Sequence, residues 1–448
     1  MNVKLIFSIS VVFLITILEP IQSQTVFSLR QCIDSALINN LNIKEQVFAQ
    51  QVLENNYRQS KYDFLPDLNA SSRVSEYFGQ TFNYERVRFI DERITSFSFG
   101  ISTSVALFEG FRKYYTMNKR LIDAQGGKFQ MDLIKNQLTL EIVNTYLTIL
   151  YNQEQAQGLK QQMAVIDQQI ERTKKMVEAG KIPLGELYSL LSQKAEEEAQ
   201  FNRYISQITI AKIALSQQMN IQTIDFEISA PDIDSLTFQF LQENPVDHFF
   251  DEAIHFLPEI QLADNALQSA KLDLEIARSR IYPSLYLSGG MSFPYNNKAL
   301  NPTTGGDYPF FDQLSDRKQT EIGITLSIPI FNKLQNRTNI QNAQLKILSS
   351  ENSIQKARQQ VYKSVQSAYH DVLNAQKNYQ SRAEALKAAQ ESYRFAEQRF
   401  NSGSISATDY LVEKAKLNQS IIQLTQSKYD FLVKLKVLDF YRGIEINL

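Results

Sequence analysis

The chain contains one sequence pattern twice, and this repeat constrains its fold more than any other feature. From the end of the first predicted hairpin onward, equivalent positions are separated by 223 residues without a gap. Phe108 then corresponds to Phe331, and Gly180 corresponds to Gly403. The 448 residues alone would suggest about three domains. A repeat of this length instead indicates two copies of one supersecondary unit.

Each copy contains a long amphipathic helix. Apolar positions recur in steps of four and three, from Leu138 to Val177 in the first copy and from Val361 to Phe400 in the second. This spacing is typical of the seam of a left-handed coiled coil. It predicts helices over about 112–178 and about 335–401, each about 100 Å long at 1.5 Å per residue. A helix of that length has to pack along parallel neighbours, because no compact domain can cover its apolar stripe.

The N-terminus has the pattern of a secretory signal peptide. Lys4 precedes the apolar run Leu5–Leu18, and Glu19-Pro20 ends that run before a small residue at Ser23. The run is shorter than the ~20 residues that a membrane-spanning helix needs. Removal on export is therefore favoured over a membrane anchor.

The repeat and the signal peptide divide the chain into five segments. After a signal peptide at 1–23, the first repeat occupies 24–219, a linker occupies 220–248, the second repeat occupies 249–440, and a tail occupies 441–448. The linker contains two prolines and six acidic residues. We expect this equatorial linker to be a mixed, partly irregular segment on the outside of the helical body, with its charged residues on a solvated face.

The two repeats have the same order of elements: a helix, a β-hairpin, the long helix and a return helix. The hairpins are predicted at about 66–108 and about 283–331. The return helices are predicted at about 185–219 and about 406–440.

The hairpin strands alternate between apolar and small polar residues. Alternation over about ten residues is typical of transmembrane barrel strands, which place apolar side chains in lipid and polar ones in the lumen. A soluble antiparallel sheet that covers a core gives the same pattern. The barrel is favoured because the long helices leave no globular core for a sheet to cover. The residues predicted to face lipid are Phe97, Phe99, Ile101, Val105, Leu107, Leu285, Leu287, Met291, Phe293, Ile322, Ile324, Leu326 and Ile328.

Four strands cannot close a membrane barrel, and lipid does not tolerate open strand edges. Two copies would give eight strands with a filled interior, whereas three copies give twelve, the smallest assembly consistent with a pore. The predicted fold is therefore mainly α with a small transmembrane β part. Each chain would supply long coiled-coil helices and four barrel strands to a trimer with a twelve-stranded barrel and an α-helical barrel.

Composition excludes several classes of function. Lys and Arg total 46 against 48 acidic residues, which argues against nucleic acid as a partner. The single cysteine, Cys32, excludes an internal disulfide and is expected to be a half-buried helix residue. Three histidines leave little material for a metal centre, and nucleophile elbows and phosphate-binding glycine loops are absent from the sequence. We therefore expect no enzyme activity, no metal and no cofactor.

At this point the ordered set of motifs resembles the TolC family of outer-membrane efflux proteins, which are trimeric channel-tunnels. The motifs are the opening segment Ala36–Ile43, the pairs Leu65-Pro66 and Tyr282-Pro283 before the hairpins, and the segments Leu107–Gly110 and Pro329–Asn332 after them. Each motif alone is weak, but their doubled order is specific and covers essentially the whole mature chain.

The resemblance implies a homotrimer in the outer membrane of a Gram-negative bacterium, with a helical tunnel across the periplasm. Its function would be passive export of small molecules or polypeptides, as the exit duct of a tripartite efflux or type I secretion system. The implied partners are outer-membrane lipid, a periplasmic adaptor (membrane fusion) protein and an inner-membrane pump of RND or ABC type. A periplasmic coiled-coil adaptor or scaffold remains the alternative.

The turns between long and return helices would form the periplasmic tips that touch the adaptor. The residues implied for this contact are Gly180, Lys181, Ile182, Pro183, Gly403, Ser404 and Ile405. Glu186 and Asp409 would be acids at the tunnel entrance, with a helix-start carboxylate as the plainer alternative for Asp409. Some family members lock the closed entrance with an arginine at the position of Ile405, so that lock is in doubt here.

Overall fold

The computed structural model describes residues 25–83, 87–91, 93–230 and 246–444. The signal peptide predicted at 1–23 lies outside these residues, as do parts of the linker and of the tail. The helices are α1 (Leu29–Asn39), α2 (Leu41–Tyr62), α3 (Arg112–Glu178), α4 (Leu184–Met219), α5 (Val246–Phe256), α6 (Pro258–Ser279), α7 (Phe310–Asp316), α8 (Gln335–Asn401) and α9 (Ala407–Tyr441). The strands are β1 (Thr25–Phe27), β2 (Asn69–Tyr77), β3 (Gln80–Asn83), β4 (Arg88–Asp91), β5 (Ile94–Glu109), β6 (Phe226–Ile228), β7 (Ser284–Asn296) and β8 (Gln319–Ser327).

The observed fold is mostly helical with a small sheet, as the sequence predicts. The long helices α3 and α8 have the expected bounds, and the return helices α4 and α9 begin and end within one residue of the expected positions. In the part of the chain that the structure describes, no helix combines the length and the apolar composition needed to cross a membrane.

The chain forms two compact units. Of the described residues, the helical unit comprises 25–45, 132–230, 246–257 and 360–444, and the sheet unit comprises 46–83, 87–91, 93–131 and 258–359.

The core of the helical unit is built from the predicted coiled-coil stripe. Leu138, Ile142 and Ile149 of α3 are buried in one apolar cluster with residues of α1, α4 and α9. Burying a side chain of this size contributes about 1.5–3 kcal/mol, so a stripe of them holds the helices together. In the second copy, Val372 and Ala375 of α8 pack in the same way against α9.

Part of the linker belongs to this core, contrary to the expectation of a solvated segment. Strand β6 pairs in parallel with β1, and Phe226 is fully buried against Phe27 at a ring distance of 5.7 Å. The hydroxyl of Tyr146 in α3 donates to the carbonyl of Ser229 at 2.6 Å. A three-residue strand is too short to produce a periodic signal, so the acidic composition of the linker gave no sign of its place in the core.

Cys32 is fully buried in the same core rather than half-buried. Burial raises the pKa of its thiol to about 12, since a thiolate would lose its hydration there. The thiol therefore stays neutral and acts as a small apolar side chain.

The sheet unit contains a four-stranded antiparallel sheet in the order β2-β5-β7-β8. The two inner strands, β5 and β7, are paired along most of their lengths. Two elements inside the hairpins were not predicted: the short β3–β4 ladder and helix α7.

Two adjacent glycines let the helices of the sheet unit approach closely. A Cβ atom on Gly126 would lie 2.5 Å from Oδ1 of Asn265, and one on Gly127 would lie 2.1 Å from Oε1 of Gln50. A side chain at either position would have to displace the Asn265 or Gln50 side chain, so the two glycines make room for these polar groups where α3 passes α6 and α2.

Candidate functional site

Both helix-to-helix turns of the helical unit are closed by a left-handed glycine. Gly180 has φ 67° and Gly403 has φ 73°. At the first turn, Gly180 N donates to Val177 O and Lys181 N donates to Met176 O; the second turn repeats this pair of bonds. These are the bonds of a Schellman motif, which satisfies the last carbonyls of a helix and turns the chain.

The side chains at the predicted tips are largely exposed. Lys181, Pro183 and Ser404 are exposed, whereas Ile182 and Ile405 are half-buried. A Cβ atom added at Gly180 or at Gly403 would have open space around it.

The two predicted entrance acids both lie in the first turn of a return helix. The carboxylate of Asp409 accepts a bond from the hydroxyl of Ser406 at 2.8 Å, and that hydroxyl accepts from Asp409 N at 3.1 Å. Asp409 therefore takes part in the N-terminal cap of α9, the plainer of the two roles considered from sequence. Glu186 occupies the corresponding turn of α4, where Pro183 precedes the helix.

A polar network that was not predicted from the sequence joins three long helices of the helical unit. The hydroxyls of Tyr393 in α8 and Tyr410 in α9 lie 2.8 Å apart. Gln169 of α3 donates to the Tyr410 hydroxyl at 3.1 Å and accepts from Nζ of Lys414 at 3.2 Å. The ring of Phe400 stacks on Tyr410 with centroids 4.8 Å apart. We call Gln169, Tyr393, Tyr410 and Lys414 the tyrosine network.

The tyrosine network and its surroundings contain buried charged groups. Lys414 and Glu197 are both buried. Burial lowers the pKa of Lys414, although the negative charges of Glu197 and Glu397 oppose this shift. Burial raises the pKa of Glu197, against hydrogen bonds from Gln162 and Gln193 and the charge of Lys414. Charges buried with few partners are costly, so this region is less stable than an apolar seam would be.

The sequence could not identify the tyrosine network because its members come from separate helices. Gln169 and Lys414 are 245 residues apart, and neither belongs to a recognisable motif. Tyr393 lies on the predicted coiled-coil stripe. Its polar hydroxyl at an otherwise apolar position was the one feature of the sequence that pointed to a polar contact there.

A second feature missed from sequence is an apolar stripe on the surface of α4. Leu184, Tyr188 and Leu191 follow one another at helical spacing just after the first turn, and all three are exposed. Side chains at this spacing share one face of the helix.

The register of the sheet places most of the predicted lipid-facing residues on one face. Phe99 lies opposite Phe293, Val105 lies opposite Leu287, and Leu287 lies opposite Ile324. Because directly paired residues point to the same side of a sheet, an apolar face extends across β5, β7 and β8. On β8 this face is open: Ile322 is 81% exposed.

Two of the predicted lipid-facing residues depart from the regular pattern. The register shifts between Ala106 and Phe108, so Phe108 rather than Leu107 lies opposite Leu285. Such a bulge adds a residue that a simple alternation cannot anticipate. Strand β8 ends at Ser327, one residue before Ile328, in the approach to Pro329.

The opposite face of the sheet is formed by small and polar residues. Gly100 lies between Ser71 and Ser292, and Ser288 lies between Ser104 and Gly323. Among the described residues there is no group of three or more His, Cys, Asp or Glu side chains that could hold a metal ion.

Comparisons with known proteins agree with this arrangement. The Outer membrane protein TolC of Vibrio cholerae is 21% identical over 336 residues, which are 72% of this chain and 70% of that protein. The CmeC outer membrane channel of Campylobacter jejuni aligns with a TM-score of 0.76 at 16% identity, over 93% of this chain and 85% of that one. The outer membrane protein VceC of Vibrio cholerae aligns with a TM-score of 0.72 at 16% identity, over 93% and 96%. At these identities the solved structures establish a shared fold.

The family comparison covers both copies of the repeat. The model of the family described as Outer membrane efflux protein matches residues 32–220 and 250–443. The chain therefore belongs to the outer membrane efflux protein family, the TolC family, and is an exit duct of an efflux system in the outer membrane.

Proposed function

We propose that this efflux protein forms its export channel as a homotrimer, with four strands from each chain in a twelve-stranded barrel. The observation that carries the proposal is the order β2-β5-β7-β8, which leaves β2 and β8 as the edges of the sheet. Lipid does not tolerate unpaired backbone groups, so each edge needs a strand from a sister chain. Three copies supply twelve strands, enough for an open lumen.

The apolar face of the sheet would contact lipid, and the small polar face would line the lumen. Ile322, Ile324 and Leu326 are all exposed on this face of β8, which supports the assignment. Each buried apolar side chain of this size gains about 1.5–3 kcal/mol, so the hydrocarbon region is the favourable environment for such a row. Ser, Gly and Thr on the other face would keep the lumen wide.

The helical unit would act in the periplasm and carry the contacts with partners. TolC-family channels work with an adaptor and an inner-membrane pump. For this chain, an adaptor would dock at the two glycine turns, through Gly180 to Pro183 and Gly403 to Ile405. The exposed stripe of Leu184, Tyr188 and Leu191 directly follows the first turn and could extend that contact.

Transport through this duct would be passive, with the pump supplying the energy. The family is one of channels and not of enzymes, and we assign no chemical step to this chain. The cargo would be drugs, metal ions or secreted polypeptides, and the pump would be of the RND or the ABC type. The alternative of a periplasmic adaptor finds no support, because the family match covers both repeats.

The experiment that tests this function is electrical. The mature protein would be extracted from outer membranes with detergent and inserted into planar lipid bilayers. We expect discrete conductance steps from particles that run as oligomers on unheated gels. Protein that is recovered without detergent as a monomer, and that gives no conductance, would refute the proposal.

A further inference from the structure

Helix α7 lies on the apolar face of the sheet. The ring centroid of Phe310 is 4.9 Å from that of Tyr295 in β7 and 5.6 Å from that of Phe97 in β5. Both sheet residues belong to the apolar face defined by the register. The segment between β7 and β8 therefore folds back over the sheet.

One fully buried glutamine fastens α7 in this position. Gln313 Nε2 donates to the carbonyl of Tyr308 at 2.6 Å and to that of Asn296 at 3.0 Å. Its Oε1 accepts from Asn296 N at 3.0 Å. Because Asn296 ends β7, these bonds fix the helix to the end of that strand.

An apolar groove remains between α7 and the sheet. Its volume is about 610 Å³, within the range of about 300–1,000 Å³ for ligand sites. Apart from Ser315, the side chains that line it are apolar: Phe97, Phe99, Phe293, Phe310, Phe311 and Leu314. Water would find few hydrogen-bond partners here, so a hydrated groove is unfavourable. We call this space the α7 groove.

The position of the α7 groove argues for lipid rather than a sister chain. Its walls come from β5 and β7, the inner strands of the sheet, whereas sister chains would join at the edges β2 and β8. The groove is continuous with the apolar face that includes Ile322 and Ile324 on β8. Phe311 at its rim is 80% exposed, so the groove opens to whatever surrounds that face.

We propose that the α7 groove binds an acyl chain of an outer-membrane lipid and retains it more tightly than the surrounding bilayer. The proposal rests on the proposed function, because it needs the apolar face to lie in lipid. Phenyl rings of the sheet and of α7 would contact the chain on two sides, whereas a lipid on the open face of β8 is contacted on one side. The extra contact area would slow its exchange.

The absence of tryptophan from the sequence makes a direct test possible. Phe99→Trp places the chain's sole tryptophan in the α7 groove, and Ile324→Trp places it on the open part of the same face. Phe293→Trp serves as a second groove probe if the first variant does not fold. Each variant is reconstituted into vesicles of phosphatidylethanolamine with brominated acyl chains, which quench tryptophan on contact. It is then transferred to an unbrominated detergent.

In vesicles we expect loss of emission in both variants. After transfer to detergent, Ile324→Trp should recover its emission. The emission of Phe99→Trp should remain mostly quenched, because the brominated chain stays in the groove. Recovery of both probes would overturn the groove proposal and leave the lipid-facing sheet intact. Quenching of Ile324→Trp alone in vesicles would also overturn it, since a sister chain or another segment would then fill the groove. Failure of both probes to respond in vesicles would refute the proposed function itself.

Discussion

The hydroxyls of Tyr393 and Tyr410 lie 2.8 Å apart and join helix α8 to helix α9 near the turn that connects them. Tyr410 is buried and also accepts a hydrogen bond from Gln169 of α3. The two repeats are therefore tied together close to their turns by polar contacts rather than by apolar packing alone. Because single hydrogen bonds are weak, such a junction can open without unfolding the helices.

Tyr410→Phe should loosen this junction and raise the fraction of time that the channel is open. The change removes the hydroxyl that bonds to Tyr393 and Gln169. A loss of about 1 kcal/mol shifts a two-state equilibrium about fivefold. Single-channel recordings in planar bilayers measure the open fraction. Tyr188→Phe, which removes an exposed hydroxyl, is the matched control. An unchanged open fraction in Tyr410→Phe would show that the tyrosine network does not restrain the channel.

Glu197→Gln should change the pH dependence of stability in the helical unit. Burial raises the pKa of the Glu197 carboxyl, so the folded state favours its protonated form. The contribution of this carboxyl to the free energy of unfolding is fully present below the ordinary glutamate pKa of about 4.3. It is lost as the pH rises through the raised pKa of the folded state. The melting temperature of wild type should therefore fall relative to that of the variant as the pH rises from acidic to neutral.

The control for this measurement is Glu196→Gln, which neutralises an exposed neighbour. The difference in melting temperature from wild type should change with pH more strongly for Glu197→Gln than for this control. A change no larger than that of the control would contradict the predicted burial effect.

The sequence determines the repeated elements well because they depend on local periodicity. The stripe through Ile142 and Val365 predicts both long helices, and both of these residues are fully buried. The alternation around Phe99 predicts the strands for the same reason. What escapes prediction depends on contacts between distant segments, such as the burial of Phe226 under β1 and the bond between Gln169 and Lys414. Helix α7 was missed because seven residues give no clear helical period.

Gly403→Trp and Gly180→Trp should abolish efflux while trimers still assemble. Open space surrounds both positions, so the added ring would project from the turn and block an adaptor. Alanine at the same positions separates the effect of side-chain bulk from that of backbone strain. An alanine in the left-handed conformation costs about 1–2 kcal/mol but adds little bulk. The alanine variants should melt earlier but keep efflux. Efflux at the wild-type level in both tryptophan variants would remove the turns from the adaptor contact.

Asp409→Asn should reduce the preference of the channel for cations if three copies of this residue surround the entrance. Ser406→Ala is the matched control, because it removes the cap bonds of Asp409 but keeps its charge. Loss of the cap costs about 1 kcal/mol of stability without changing selectivity. Reversal potentials in a salt gradient give the selectivity directly. Equal selectivity in wild type and Asp409→Asn would leave Asp409 as a helix cap alone.

The mass of the detergent-solubilised particle tests most directly whether sister chains complete the sheet. Native mass spectrometry of mature protein extracted from outer membranes should give a particle of three chains, since only neighbouring copies can pair with the edges β2 and β8. A stable single-chain particle that still holds its four-stranded sheet would contradict the account.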